Sequence, residues 1–520
     1  MRGASWLRRG VILAALSGVI AATRIPLAPK YLYYFDSVNF ALALEEFNPT
    51  LHQPQPPGYP LHVAVLRMMR PVISEPERLF IAVGLLASVF AVALLWWLGE
   101  LMFSPRAGIA AALLLAAHPV FWMACLSNQV RLWLAVGAAG VGIACWRALS
   151  GSRAGPAFFW ACALLGLFAG FRPAMLIMLT PLVAYTAWRA RPGWRWVVWG
   201  AAAMFAVVGS WLSLTAAAGG GWSQFARLTL DYSRAEFSPG SALFGAGSRA
   251  ASHMFIAAAV WTCIGVPSWI WALAAVRPSH WLSPRTLFLA VWLAPAFLFH
   301  SIVHVGDPDH TLVSITALCL AGGALLASLM TRLNKEGWIM ATGFAVAINV
   351  VIFFLPMTGL AGATGFRAVE YVDRATRETI ASIRQLTGAG PAVLVCYKCF
   401  VTYRHLSYYF PGTPVAVLRQ DYDHDPRDKP AVWLIRGRNW SEPEIQAGTV
   451  MLPPARRIIW VLSPYDPAAH AVLSRSTDVR QAGPVYWTPV ETAAPVRFGA
   501  YTLAPSPAAP QAAQPAALSN

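Results

Sequence analysis

Apolar runs of about 20 residues recur from residue 11 to residue 356, most of them separated by short gaps. A run of that length crosses a hydrocarbon core of roughly 30 Å as a helix. The spans read at about 11–22, 79–103, 107–124, 132–149, 157–171, 173–188, 196–216, 254–276, 286–303, 311–330 and 337–356, about 11 in all. Composition agrees: 57% of the 520 residues are hydrophobic and only 12% are charged, against roughly 25% charged in soluble domains.

The net charge of +16 does not make this a nucleic-acid binder, because the basic residues are distributed as membrane topology requires. With the N-terminus inside, the inner gaps hold Arg2, Arg8, Arg9, Arg106, Arg147, Arg153, Arg189, Arg191, Arg195, Arg277, Arg285, Arg332 and Lys335, accompanied by Glu100 and Glu336. The outer loops take Asp36, Glu45, Glu46, Glu75, Glu77, Asp231, Glu236, Asp307 and Asp309. This is the positive-inside pattern. It requires Phe171-Arg172-Pro173 to form an outer turn between two short spans. Arg8 and Arg9 before 11–22 also fit a signal peptide. An uncleaved first helix is the better reading, since another membrane domain follows, and Arg24 at its outer end is placed to snorkel.

Three domains are expected. Residues 1–360 form a polytopic transmembrane helical bundle, mainly α, with a first outer loop at about 26–78. Residues 361–503 form a small extracytoplasmic α/β domain, with a helix at 369–386 and buried strands at 392–396, 431–435 and 457–462. Residues 504–520, rich in Ala, Pro, Gln and Ser, form a disordered tail. Cys125, Cys145, Cys162, Cys263 and Cys319 lie in apolar runs and read as small buried residues. Cys396-Tyr-Lys-Cys399 is compatible with a disulfide, a redox pair or chance.

Chemistry concentrates in the first outer loop. Tyr34-Phe35-Asp36-Ser37-Val38-Asn39-Phe40 sets a carboxylate just beyond a span among aromatics, where partial desolvation suits a general base or metal ligand. Asp36 is equally suited to capping an amphipathic helix over 38–47. The long outer loop 219–249 either covers a site or merely connects. His304, Asp307, Asp309 and His310 combine metal-ligand types, while their Gly/Asp/Pro setting is that of a turn.

The order Arg24-Ile-Pro-Leu-Ala-Pro, Phe35-Asp36-Ser37-Val38-Asn39-Phe40-Ala41, Pro56-Pro57-Gly58-Tyr59-Pro60-Leu61, then His118-Pro119 and His304-Val-Gly-Asp-Pro-Asp-His310, resembles the GT-C superfamily of membrane glycosyltransferases. Its members include the protein O-mannosyltransferases and the lipid A aminoarabinose transferases. The resemblance covers roughly residues 8–330. It implies transfer of a hexosyl or pentosyl group from a polyprenyl-phosphate-linked donor to a lipid, polysaccharide or protein acceptor. The reaction would run on the outer face of a bacterial inner membrane, with the C-terminal domain periplasmic or extracellular. The family's acidic residue maps onto Asp36 as general base. The departing phosphate needs oriented cations, for which Arg24, Lys30, Arg131 and Arg172 lie near the outer interface, while Pro57, Gly58 and Tyr59 form the loop motif that turns the chain back to the membrane. Phosphate leaves readily, so no cofactor is required; a divalent metal is compatible with this chemistry but not favoured.

Two departures from the family pattern stand out. Ser37 replaces the second acid of the mannosyltransferase pair, and Ser127-Asn128-Gln129-Val130-Arg131 carries no carboxylate where some relatives have one. Glu45 and Glu46 are candidates to substitute, but their place on the loop helix faces water. A transporter or flippase for a lipid-linked glycan is the alternative, weakened by the scarcity of ionisable residues at span midplanes and by the lack of an internal repeat. A scaffold leaves the acidic loop unexplained.

Overall fold

The computed structural model describes residues 2–506 apart from 128–129, 152, 276–282, 330–333, 398–400, 419–431, 436–447, 463–466, 475–477 and 499–500. The chain divides into two compact units, Met1–Tyr371 and Val372–Asn520. The expected tail beyond residue 506 lies outside the described residues.

In the first unit α1 (Arg2–Arg24) is followed by the first outer loop, which carries two short helices, α2 (Phe35–Glu45) and α3 (Pro60–Met69). The bundle continues with α4 (Pro76–Met102), α5 (Pro105–Ala117), α6 (Pro119–Leu126), α7 (Leu132–Ser150), α8 (Ala154–Ala169), α9 (Ala174–Ala190) and α10 (Trp194–Ala218). After α11 (Trp222–Phe237) come α12 (Ser248–Cys263), α13 (Pro284–Ile302), α14 (Leu312–Ser328), α15 (Lys335–Phe354) and the single turn α16 (Gly359–Gly362). Among the described residues eight helices are long and apolar enough to cross a membrane, or nine if α5 and α6, bent by 54° at His118-Pro119, form one span. The shorter apolar helices α8 and α9 coincide with the expected spans 157–171 and 173–188, and residues 170–173 turn between them. The protein is an integral membrane protein.

Side-chain contacts fix how the spans alternate. At one end, Arg9 pairs with Glu100 at 3.5 Å, Arg147 lies over Trp97 at 4.5 Å and Arg285 over Phe103 at 5.6 Å. These are the basic ends of the spans. At the other end, the Arg24 guanidinium lies 4.5 Å from the Trp122 ring centroid, and Trp122 stacks on Phe353 at 4.3 Å. The ends of the first, third and last spans therefore meet on the side opposite the basic residues.

Close packing uses small residues, as in membrane helices generally. A Cβ on Gly99 of α4 would come within 2.6 Å of the Gly108 Cα of α5, and one on Gly323 of α14 within 2.6 Å of the Ala107 carbonyl. Cys125, Cys145, Cys162 and Cys319 are buried as expected, but Cys263 is exposed. It sits at the end of α12 on a surface that a bilayer would cover.

The second unit contains most of α17 (Phe366–Thr387), since the division falls within this helix. Its strands are β1 (Ala392–Tyr397), β2 (Val415–Leu418), β3 (Val432–Ile435), β4 (Gly448–Met451), β5 (Arg457–Leu462), β6 (Arg480–Ala482), β7 (Val485–Pro489), β8 (Val496–Phe498) and β9 (Tyr501–Ala504). Helices α18 (Tyr403–Tyr409) and α19 (Pro467–Ser474) lie between them in sequence. The main sheet has the order β3-β2-β1-β5-β7-β6, with β1 parallel to both β2 and β5. Fully buried central strands explain why 392–396 and 457–462 read as continuous apolar runs. Cys396 is disulfide-bonded; Cys399 lies outside the described residues.

The Gly99–Gly108 approach gives a direct test. Gly99→Leu forces α4 and α5 apart, and overpacking of this kind costs about 1–3 kcal/mol. The thermal midpoint of the detergent-solubilised protein is expected to fall by several degrees, and an unchanged midpoint would show that the helices do not meet there.

Candidate active site

The first turn of α2 is placed by Ser37. Its hydroxyl accepts the Tyr34 N–H at 3.3 Å and donates to the Ser127 carbonyl at 3.1 Å, tying the first outer loop to the segment that follows α6. Ser37 thus holds the backbone together where the mannosyltransferases have an acid. Asp36 is not the helix cap, a position held by Tyr34. It lies one residue into the helix, and the helix is not amphipathic: residues 37–44 are all buried.

The Asp36 carboxylate projects to Arg131, with Oδ2 3.4 Å from Nη2. Arg131 precedes α7 and is nearly sealed, with 4% of its side chain exposed. Its Nη1 donates to Asp307 Oδ2 and to Asp309 Oδ1, each at 2.7 Å. Ser127 also donates to Asp309, at 3.4 Å. One guanidinium therefore joins three segments far apart in sequence. The three carboxylates differ in exposure: Asp309 is fully buried, whereas Asp36 and Asp307 keep 26% and 31% of their side chains open. Asp309 acts as the internal counter-charge, and Asp36 and Asp307 line an opening. Three carboxylates on one cation leave an excess of negative charge. Burial pushes the Asp36 carboxyl up to about 6; Arg131 opposes this, while Asp307 and Glu236 add to it. Solvent reaches this group, yet protein encloses it on most sides, which defines a recess rather than a surface.

A second cation, Arg172, comes from the turn between α8 and α9. Its Nη2 lies 3.0 Å from His310 Nε2, and its guanidinium is 5.8 Å from the Tyr59 ring centroid. Tyr59 adopts a left-handed backbone (φ 45°) after Gly58 (φ 101°). A Cβ on Gly58 would also meet Thr215 Cγ2 at 2.6 Å, so both conformation and space call for glycine there. Pro57 and Gly58 set the turn, and Tyr59 is delivered against Phe40, with ring centroids 5.6 Å apart.

The loop 219–249 is no loose connector: 16 of its residues form α11. This helix brings Phe237 to within 5.1 Å of the His304 ring and carries Glu236 toward the acidic cluster. Burial raises the Glu236 carboxyl; a Tyr232 hydrogen bond opposes the rise and Asp307 reinforces it. Burial also takes His304 down to about 3, so this ring is neutral at physiological pH.

The other cations named from sequence lie elsewhere. Arg24 does not snorkel. It is 1% exposed, donates to the Ala116 carbonyl and to Thr23, and is packed against Trp122. Lys30 is exposed on the loop ahead of α2. Glu45 pairs with Arg70 at 2.5 Å with 53% of its side chain exposed, and Glu46 accepts from Asn48, so both face water as expected. Asp307, Asp309, His310 and Glu236 were not singled out as partners of Arg131 and Arg172 from sequence. One signal was available: an arginine at a buried span terminus with no acid nearby must borrow one from another outer loop.

Asp307, Asp309 and His310 offer ligand atoms within 4.8 Å of one another. As arranged, however, the Arg131 guanidinium bonds both carboxylates and fills the position a divalent cation would take, so the set does not fit a metal without displacing it.

The first unit is a helical bundle whose long first loop carries Asp36 on a short helix, and the second is a small α/β unit. Among solved structures the chain is similar to ArnT from Cupriavidus metallidurans in the apo state, with a TM-score of 0.60 and 14% identity over 94% of this chain and 98% of that one. It is similar to the same protein bound to undecaprenyl phosphate, with a TM-score of 0.56 and 14% identity over 93% and 97% of the two chains. The Archaeoglobus fulgidus oligosaccharyltransferase aligns with a TM-score of 0.42 and 12% identity over 88% of this chain and 64% of that one. No family model matches the chain, and no curated protein matches it. At these identities the likeness is one of fold.

Arg131→Met would leave Asp309 buried without its cation. Removing one partner of a buried ion pair costs about 3–5 kcal/mol, so a marked fall in thermal midpoint is expected. Asp309→Asn in the same background should recover part of it, and a double variant no more stable than Arg131→Met would refute this role of Asp309.

Proposed function

We propose that this protein is a membrane glycosyltransferase that moves a hexosyl or pentosyl group from a polyprenyl-phosphate donor to an acceptor hydroxyl. The reaction is assigned to the outer face of a bacterial inner membrane. The observation that carries the reading is the partly open Asp36 carboxylate, held by Arg131 and tuned to about 6. A base poised near the working pH is what proton abstraction from a hydroxyl requires. The fold adds support, since ArnT, which shares it, has been solved with undecaprenyl phosphate bound.

In this reading Asp36 takes the acceptor's proton as its oxygen attacks the anomeric carbon. The C–O bond to the carrier phosphate breaks on the opposite face, and the phosphate leaves with its electron pair. Arg131 favours the ionised state of Asp36 and fixes its direction. Arg172 meets the developing phosphate charge from a position set before the reaction, and Lys30, exposed at the loop surface, attracts the donor headgroup. Arg131 and Arg24 brace the structure from behind. The acceptor is a lipid, a polysaccharide or a protein, and no metal takes part.

Turnover of purified protein on polyprenyl-phosphate sugars tests this. Asp36→Asn should lower kcat by about 10²–10⁴-fold while the protein stays folded. Because the base must be ionised, kcat/KM should be flat above about pH 6 and fall about tenfold per pH unit below it. A chelator should change nothing. Full activity in Asp36→Asn would remove the base assignment, and movement of intact donor across vesicles without cleavage would favour a transporter.

A further inference from the structure

The contact between Arg172 and His310 contains a conflict of hydrogen-bond donors. The Gly306 N–H donates to His310 Nδ1 at 3.0 Å. A ring nitrogen that accepts carries no proton, so the neutral imidazole bears its proton on Nε2. Yet Arg172 Nη2 stands 3.0 Å from that same Nε2, and a guanidinium can only donate. Moving the proton to Nδ1 shifts the conflict to the Gly306 amide, which the turn before α14 holds in place. A doubly protonated ring sets donors against donors at both nitrogens. No neutral or protonated form of His310 satisfies both contacts.

The neighbours do not resolve it. The His304 and His300 rings lie 5.3 and 6.3 Å from that of His310, centroid to centroid. His300 directs its Nδ1 to the His304 carbonyl at 3.1 Å. Asp307 and Asp309 have oxygens within 4.8 Å of a His310 ring nitrogen, but both carboxylates are bonded by Arg131. His310 itself is buried, 3% exposed, so bulk water does not screen the pair freely.

Two donors held face to face are relieved by an acceptor that bridges them. We propose that Arg172 and His310 form an anion clamp that binds the phosphate of the polyprenyl carrier, with Arg172 Nη2 and His310 Nε2–H donating to separate phosphate oxygens. The clamp rests on the transferase reading for the identity of its ligand and adds His310 to the donor-binding residues. A phosphate group suits it because several oxygens on one centre accept from two donors at once, and charge-assisted bonds of this kind are the strong ones. Binding converts a repulsive contact into two attractive ones, so the ligand-free protein holds the clamp under tension and the loaded protein does not.

The opposite view, in which Arg172 simply donates to His310 as a structural bond, predicts a different sign for one measurement. Thermal unfolding of the full chain in detergent would be followed alone, with polyprenyl monophosphate, with inorganic phosphate, and with phosphate-free polyprenol. Polyprenyl monophosphate should stabilise the wild type, and polyprenol should not. Arg172→Met and His310→Phe should each weaken binding about tenfold or more without lowering the midpoint of the ligand-free protein. His310→Gln, which keeps an N–H donor at similar reach, should retain most of the affinity. If Arg172→Met lowers the ligand-free midpoint and binds the lipid phosphate as wild type does, the contact is structural and the clamp is wrong, while the transferase reading stands. If wild type binds inorganic phosphate through these residues but ignores the lipid, the clamp holds and the polyprenyl carrier must be abandoned. Binding of neither overturns the clamp.

Discussion

A guanidinium almost sealed from solvent, bonded to carboxylates from two outer loops, holds the outer side of this protein together. Arg131 reaches Asp36 in the first loop and Asp307 and Asp309 in the last. Burying such a group is costly unless every charge is met, so the cluster forms only when the bundle has brought the relevant span ends to one side. Arg131 thus couples correct threading of the helices to assembly of the site. Asp309, with no exposed side-chain surface, depends most on that coupling, and Ser127 supplies its remaining contact.

The same cluster sets the chemistry. A single cation shared among three carboxylates cannot neutralise all of them, and Glu236 on α11 adds a further acid nearby. Burial raises both Asp36 and Glu236, and of the three carboxylates that Arg131 holds, Asp36 and Asp307 are the partly open ones. Burial outweighs the pull of Arg131 and, with Asp307 and Glu236 adding to it, brings the Asp36 carboxyl up to about 6. Arg172, facing Tyr59 and His310, adds a weaker pull on Asp36 from the other side.

The membrane architecture was readable because its signals are local and repeated. Each apolar run reports its own helix, and each basic gap reports its side, so even the short helices α8 and α9 and the turn at Arg172 could be placed. The strands β1 and β5 were readable because their burial makes them apolar almost throughout. The short helices of the outer loops were less legible. The apolar character of α2 comes from burial on all sides, which period alone cannot distinguish from amphipathicity, and α11 has its polar residues spread through a segment that composition marks as loop. Asp36 could be singled out from its aromatic neighbours and the family resemblance. Its partners could not, because pairing between residues 36, 131, 307 and 309 is a property of the assembled bundle and leaves no periodic trace. Arg24 shows the converse: a residue at a span end that sequence assigns to the interface is instead enclosed beneath Trp122.

The absence of a second acid beside Asp36 loses its apparent weight once these contacts are known. Ser37 occupies that place, and its hydroxyl bonds the Ser127 carbonyl, so the position has been given to joining backbone segments. The additional carboxylates arrive from the loop ahead of α14, on a 3-10 turn around Pro308 that continues into the helix. A pair adjacent in sequence would have to divide structural and chemical roles between neighbouring side chains on one turn. Drawing the acids from separate loops allows burial to assign the roles instead: Asp309 inside as counter-charge, Asp307 at the rim, and Asp36 in the opening. In the proposed reaction a substitution at residue 36 acts on proton transfer, whereas one at residue 309 acts through folding, and Arg131 contacts both carboxylates.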